Sequence, residues 1–290
     1  MTAKLSECVI GAERYLVVSD DTGRMDAFKG QGYDLARASV RERENVEHIL
    51  RRRSDATQSA RLDVNRYVAP FVREEWDRTT VSSFGNTHIK LNGDIFGNKP
   101  LDWYYKGAGA SLKTTGSPLV LPIQGHGGGI EIEYALVLMT NATGDPTVIG
   151  YTLALDFSDV VLRHRHPNLA GLSKLADTFV AHGIVLATKI PASSEVTCVI
   201  DKGEHRKWAA SGSLGTDNMN CSVSSLLDQL INTNFFQPYC VHYILLGAAI
   251  STHKGGYDLD HGDVIQVRSQ SDGLSLCCRY EDDAINFACA

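Results

Sequence analysis

The apolar and polar positions divide the chain into two textures. Near the N-terminus, Val9-Ile10-Gly11 and Tyr15-Leu16-Val17-Val18 are short apolar runs flanked by turn chemistry that includes Asp20-Asp21-Thr22-Gly23, and they read as short strands. From Ser39 to about Ser59 the spacing predicts a helix. Val46, Ile49 and Leu50 give it an apolar stripe, Ser39 followed by Glu42 has the capping-box arrangement, and Pro70 lies beyond its end. Residues 1–75 are therefore expected to form a small α+β N-terminal region, and 76–290 a larger domain. From Val81 onward, short apolar runs alternate with Gly, Asn and Asp clusters, the rhythm of a β-rich fold. Strands are expected at Leu119–Leu121, Ile132–Met139, Val148–Asp156, Gly183–Leu186, Val196–Ile200, Val241–Leu246 and Asp263–Arg268, and a helix at Val223–Ile231 with Leu226, Leu227 and Leu230 inward. The fold class is α+β and β-rich, with no internal repeat.

One of these strands carries candidate chemistry. Gly127-Gly128-Gly129 leads into Ile130-Glu131-Ile132-Glu133, and residues two apart on a strand share a face. Glu131 and Glu133 therefore point the same way, on a face that continues through Ala135, Val137 and Met139. Two carboxylates on a partly buried face repel one another and lose hydration, and a divalent cation relieves both problems. A solvated edge strand with two surface glutamates is the alternative. Downstream, the apolar run Gly150–Leu155 ends at Asp156, which could join the glutamates in an oxygen-only site for Mg²⁺, Mn²⁺ or Ca²⁺, or cap the following segment.

Composition narrows the classes of function. Of 290 residues, 43% are apolar and 21% charged, ordinary values for a soluble globular chain. The net charge of −6 and the lack of a long basic run argue against nucleic acid; Arg51-Arg52-Arg53 reads as a solvated helix face. No apolar run reaches the roughly 20 residues needed to span a bilayer, and no secretory signal is visible, so a cytoplasmic location is expected. The seven cysteines are odd in number, scattered and without a CxxC pair, which fits free, mostly buried thiols.

Taken together, the motifs resemble the fumarylacetoacetate hydrolase superfamily. The Glu-x-Glu strand is followed by Gly150-Tyr151-Thr152 and Asp156-Phe157-Ser158; Gly85-Asn86-Thr87-His88, Ser173-Lys174-Leu175-Ala176-Asp177-Thr178-Phe179, Leu246-Gly247-Ala248-Ala249 and His261-Gly262-Asp263-Val264-Ile265 follow the family's order over roughly residues 80–285. The resemblance implies a twisted mixed β-roll, a homodimer, and Mg²⁺ or Mn²⁺ held by Glu131, Glu133 and Asp156. It implies a 2-oxo acid substrate and an enolate stabilised by the metal, with Lys174 and His88 in catalytic positions. Trp103-Tyr104-Tyr105-Lys106-Gly107 resembles a segment of the branch containing 2-keto-3-deoxy sugar-acid dehydratases, which places Tyr105 and Lys106 at the substrate, and the Ala248 position is where the family's late threonine often contacts the substrate carboxylate. A dehydratase is the expected activity, with a C–C hydrolase, a decarboxylase or a non-catalytic relative as alternatives.

The departures concern Leu91, where the hydrolase branches carry a glutamate beside the histidine, Val160, where they often carry arginine, and Ala248, where a threonine is usual. Asp94 is the acid nearest His88 in sequence. His126 lies in the glycine loop, where it could swing over the metal or remain solvated. His164 and His166 are two apart and could ligate zinc from a strand, or belong to a surface segment at the pocket mouth. Gly212–Met219 lacks the lysine of a phosphate loop.

Overall fold

The structure, a computed structural model, describes residues 3–20, 22, 25–53, 57–58, 66–73, 78–88, 101–121 and 125–282. Two antiparallel strands, Gly128–Thr140 and Pro146–Asp159, form the centre of a large mixed sheet. Each is almost wholly buried because each has a core on both faces. Ile130, Ile132, Tyr134, Leu136 and Leu138 face a five-stranded sheet, whereas Ala135, Val137 and Met139 face the N-terminal helices and strands. That is why these segments read as continuous apolar runs and not as alternating ones.

The smaller sheet runs in the order 205–214, 194–202, 264–269, 275–282, 119–121. It has one dry face, and its strands alternate accordingly: Val196, Cys198 and Ile200 are buried, as are Ile265 and Val267, and Leu276, Cys278 and Tyr280. In the large sheet, Gly183–Val185 flanks the Asp156 strand. On the other side Val241–Leu245 flanks the Glu131 strand, followed by Thr79–Phe84 in parallel and then Trp103–Ala108. Lys4–Ile10 pairs with Gly183–Val185, so the N-terminal strands extend the same sheet. The expected boundary at 75/76 lies outside the described residues, as do Leu91, Asp94 and Cys289.

Most expected elements are present, and the helix at Val223–Ile231 has the anticipated bounds. The N-terminal helical pattern is corrected. It is two helices, Gly32–Glu42 and Val46–Arg53, broken where Arg43 adopts a left-handed conformation (φ 56°). Ser39 lies inside the first helix, not at an N-cap, and its hydroxyl donates to the Glu44 carbonyl across the break at 2.5 Å. The stripe of Val46, Ile49 and Leu50 is buried as expected. Arg51 and Arg52 form ion pairs with Asp26, Glu47, Glu42 and Glu44. No described helix is long and apolar enough to cross a membrane, and the six described cysteines are free thiols.

His242 is fully buried between Phe235 and Phe236, with Nδ1 2.6 Å from Thr80 Oγ1. Burial pushes its pKa down to about 3. The folded state therefore keeps this ring neutral while the unfolded chain takes up a proton below about pH 6.5. Stability contributed by the neutral ring is complete above pH 6.5 and is lost as pH falls toward 3, at about 1.4 kcal/mol per pH unit. Urea titrations of wild type and His242→Gln at pH 6.5 and 4.5 test this: the variant should lack that increment, and equal slopes would contradict it.

Candidate metal and substrate site

Strand register explains why three carboxylates meet. Glu131 and Asp156 are direct cross-strand partners, and Glu133 lies two residues along the same face. One oxygen of each lies within 4.8 Å of one of each of the others. Glu131 and Glu133 line a cavity of about 770 Å³, while Asp156 is fully buried behind them.

Two ammonium groups neutralise this cluster. Lys174 follows a one-turn helix, Ala170–Ser173, just before the strand Thr178–Val180 that pairs with Asp156. Its Nζ donates to Glu131 Oε2 at 2.8 Å and Asp156 Oδ2 at 2.6 Å. Lys106 Nζ lies 2.8 Å from Asp156 Oδ1 and donates to the carbonyls of Phe157 and Lys174. Ser83 donates to Asp156 Oδ2 at 2.6 Å.

These contacts show how far the sheet is rolled. Thr79–Phe84 and Trp103–Ala108 are three and four strands from the Asp156 strand. At about 4.8 Å per strand, a flat sheet would hold them roughly 14 and 19 Å away. Ser83 and Lys106 instead touch Asp156 because the sheet curls over its own face.

Charge then sorts the three acids. Burial alone would raise the Asp156 pKa, but Lys106 and Lys174 outweigh it and hold the carboxyl below the usual range. Burial and the neighbouring charges of Asp156 and Glu131 push Glu133 well above it, with Lys174 and the Gly247 N–H opposing. Lys174 is held protonated: burial disfavours its charge, and Asp156, Glu131 and Glu133 more than compensate. Burial lowers Lys106. With all five groups ionised, three carboxylates against two ammonium groups would leave one surplus negative charge, and that repulsion adds to burial in raising Glu133. This surplus and the oxygen-only donor set fit a hard divalent cation held by Glu131, Glu133 and Asp156.

The cavity wall contains other expected residues. His88, Lys174 and Ala248 line it, as does Val160. Ala248 presents a methyl group in place of a hydroxyl. Two expectations are corrected. Lys106 is 1% exposed and does not line the cavity, because its ammonium is committed to Asp156 and two carbonyls; it supports the site from beneath. Tyr105 is 42% exposed and also absent from the wall, because alternation along its strand turns Tyr104 inward instead. His126 is tied to Asp159 through its backbone N–H at 2.9 Å, with Nδ1 at 3.3 Å, and is not on the wall. His164 sits in a helix, Val160–Arg165, and lines the cavity, in keeping with the surface-segment alternative and not with zinc ligation from a strand; its ring meets His253.

Gly247 and Ser83 carry roles not assigned from the sequence. Gly247 has φ +95°, donates its N–H to Glu133 Oε2 at 2.7 Å, and lies so close to Thr87 that a Cβ would fall 1.7 Å from Thr87 Oγ1. Only glycine satisfies all three conditions. Its place in the motif-like Leu246-Gly247-Ala248-Ala249 was a signal; Ser83, one of four hydroxyl residues in the strand Thr79–Phe84, offered none.

Millimolar Mg²⁺ or Mn²⁺ should raise the melting temperature of wild type, by about 2.7 kcal/mol of stability at 100 times Kd, and leave Glu133→Gln unmoved. Without metal at pH 8, Glu133→Gln should be at least as stable as wild type, because an amide replaces a repelled buried carboxylate. Calorimetry showing metal stabilisation of both proteins would exclude Glu133 as a ligand. Gly247→Ala should cost at least roughly 1–2 kcal/mol.

No protein-family model matches the sequence, and no curated protein matches it. Solved structures do. The fold is similar to a 2-keto-3-deoxy-D-arabinonate dehydratase complexed with magnesium and 2,5-dioxopentanoate, with a TM-score of 0.75 at 18% identity over 96% of this chain and 99% of that one. It is similar to a fumarylacetoacetate hydrolase from Exiguobacterium antarcticum (TM-score 0.68, 18% identity, 97% and 99% covered). It is also similar to a 2-hydroxyhepta-2,4-diene-1,7-dioate isomerase from Mycobacterium marinum (0.64, 16%, 96% and 98%). The rolled sheet and its long central hairpin are thus the fold shared with these solved structures.

Proposed function

We propose that the protein is a divalent-metal-dependent lyase that dehydrates a 2-keto-3-deoxy sugar acid or a close 2-oxo acid analogue. The observation that carries this reading is the convergence of Glu131, Glu133 and Asp156 around the Lys174 ammonium at one cavity. Mg²⁺ or Mn²⁺ held by these carboxylates would supply Lewis-acid polarisation of the 2-oxo acid oxygens. The dehydratase of like fold, with magnesium and a dioxo acid, supports the reading.

The chain's own groups divide the proton work. Thr87 Oγ1 donates its single proton to the Leu246 carbonyl at 2.5 Å, so toward His88 Nδ1, 3.0 Å away, it acts as an acceptor. Neutral His88 therefore carries its proton on Nδ1 and leaves Nε2 bare. That Nε2 is buried without a hydrogen-bond partner, on a residue of the cavity wall. Burial pushes the His88 pKa down to about 4, so the ring is neutral at pH 7 and can accept the proton released at C3 of the substrate. Lys174, held protonated, donates to the C4 hydroxyl as it departs as water. One proton is taken, one is given, and the C3–H electron pair ends in the new unsaturation. A C–C hydrolase would want an acid beside His88 to activate water; among the described residues its side chain bonds only to Thr87.

The test is incubation of 2-keto-3-deoxy sugar acids with enzyme and Mg²⁺ or Mn²⁺, read by mass spectrometry. Loss of one water is expected, abolished by EDTA and by Glu133→Ala. His88→Gln should lower kcat by about 10²–10⁴. Because the His88 pKa is depressed, the rate attributable to its neutral form should persist at pH 5 and fall as pH approaches 4. Loss of carbon dioxide or of an acyl fragment would overturn the dehydratase assignment.

A further inference from the structure

The mouth of the cavity is cationic, in contrast to its acidic floor. Asp159 caps the helix Val160–Arg165 by accepting the Leu162 N–H at 2.9 Å, three residues after Asp156. Val160, Arg163 and His164 are spaced i, i+3, i+4, so they share one helix face, and all three line the cavity. The turn after Ile250–Ser251 brings His253 and Lys254 to the same wall. Ile250 and Ser251 are paired with Ile132 and Glu131, so this turn is fixed relative to the carboxylates.

The two halves of the mouth meet through His164 and His253, whose Nε2 atoms are in contact and whose ring centroids lie 4.2 Å apart. The clasp leaves Arg163 and Lys254 beside the opening. Among the described residues neither has a carboxylate within ion-pair distance. Arg163 is instead held over the Tyr104 ring, 5.6 Å from its centroid, which keeps the guanidinium extended along the wall. A cavity of about 770 Å³ has room for more than a 2-oxo acid head.

We propose that Arg163 and Lys254, braced by the His164–His253 clasp, form a subsite for a second anionic group, a carboxylate or phosphate ester at the substrate end remote from the 2-oxo acid. The inference rests on the proposed 2-oxo acid chemistry of the floor. It names the substrate class as doubly anionic. Val160, packed close to Gly129, supplies apolar wall without charge, and Arg163, three residues further along the same helix face, is the cation this helix brings to the cavity.

The test is calorimetric binding in Mg²⁺ to matched probes: 2-oxoglutarate against 2-oxovalerate for a carboxylate, and 2-keto-3-deoxygluconate with and without its 6-phosphate for a phosphate ester. At least one dianionic probe should bind ten or more times tighter than its partner. The preference should fall below threefold in Arg163→Gln/Lys254→Gln, mainly through the dianion. Which pair discriminates identifies the anion. Equal binding within both pairs, or a preference that survives the double substitution, would overturn the subsite and leave the floor chemistry standing. If 2-oxovalerate and the unphosphorylated sugar acid also fail to bind, the 2-oxo acid reading itself falls with it.

Discussion

The closure of the roll depends on one buried carboxylate. Asp156 receives Lys106, Lys174 and Ser83 from three separate segments, each placed around it by the curl of the sheet. A buried ion pair of this kind adds little net stability, because desolvation offsets attraction, yet removing one partner costs about 3–5 kcal/mol. Its effect here is geometric. The sheet edge carrying Ser83 and Lys106 has a specific partner to close upon, and closing assembles the cavity wall. The same carboxylate thus joins architecture to chemistry, and Lys106 belongs to the first role while Lys174 serves both.

The central hairpin was legible because its residues obey two constraints at once. A strand buried on both faces reads as an unbroken apolar run, and the charges within it, Glu131, Glu133 and Asp156, stand out against that background, with Asp159 at the strand's end. Their spacing of two residues predicted a shared face, and the register confirmed the meeting with Asp156. The helix Val223–Ile231 was legible for the simpler reason that Leu226 and Leu230 mark its dry side. The resemblance to the superfamily, drawn from short motifs in order, agrees with the fold.

What remained hidden depended on long-range geometry. The strand His205–Leu214 lies at a sheet edge and buries only Leu214, so it shows no apolar run. The strand Ser275–Asp282 alternates through Leu276, Cys278 and Tyr280 among polar residues. Ser39 looked like a helix start because its local chemistry suits one, but the helix had already begun at Gly32, and the left-handed Arg43 ends it. Lys106 and Tyr105 were placed by motif, and only the direction of each side chain from a rolled strand decides which of them, or Tyr104, meets the cavity.

The parallel pairing of Thr79–Phe84 with Val241–Leu245 has a bearing on biogenesis. The earlier strand cannot find its neighbour until the later one has left the ribosome, roughly 10–30 s afterwards at about 5–20 residues per second. Through that interval the outer edge of the nascent sheet, with Ser83 and Lys106 on it, has no neighbour to join it to the central hairpin. A ribosome-bound chain ending before Val241 would therefore be a natural client for chaperones, and truncation there would yield an unfinished roll prone to pairing with other chains.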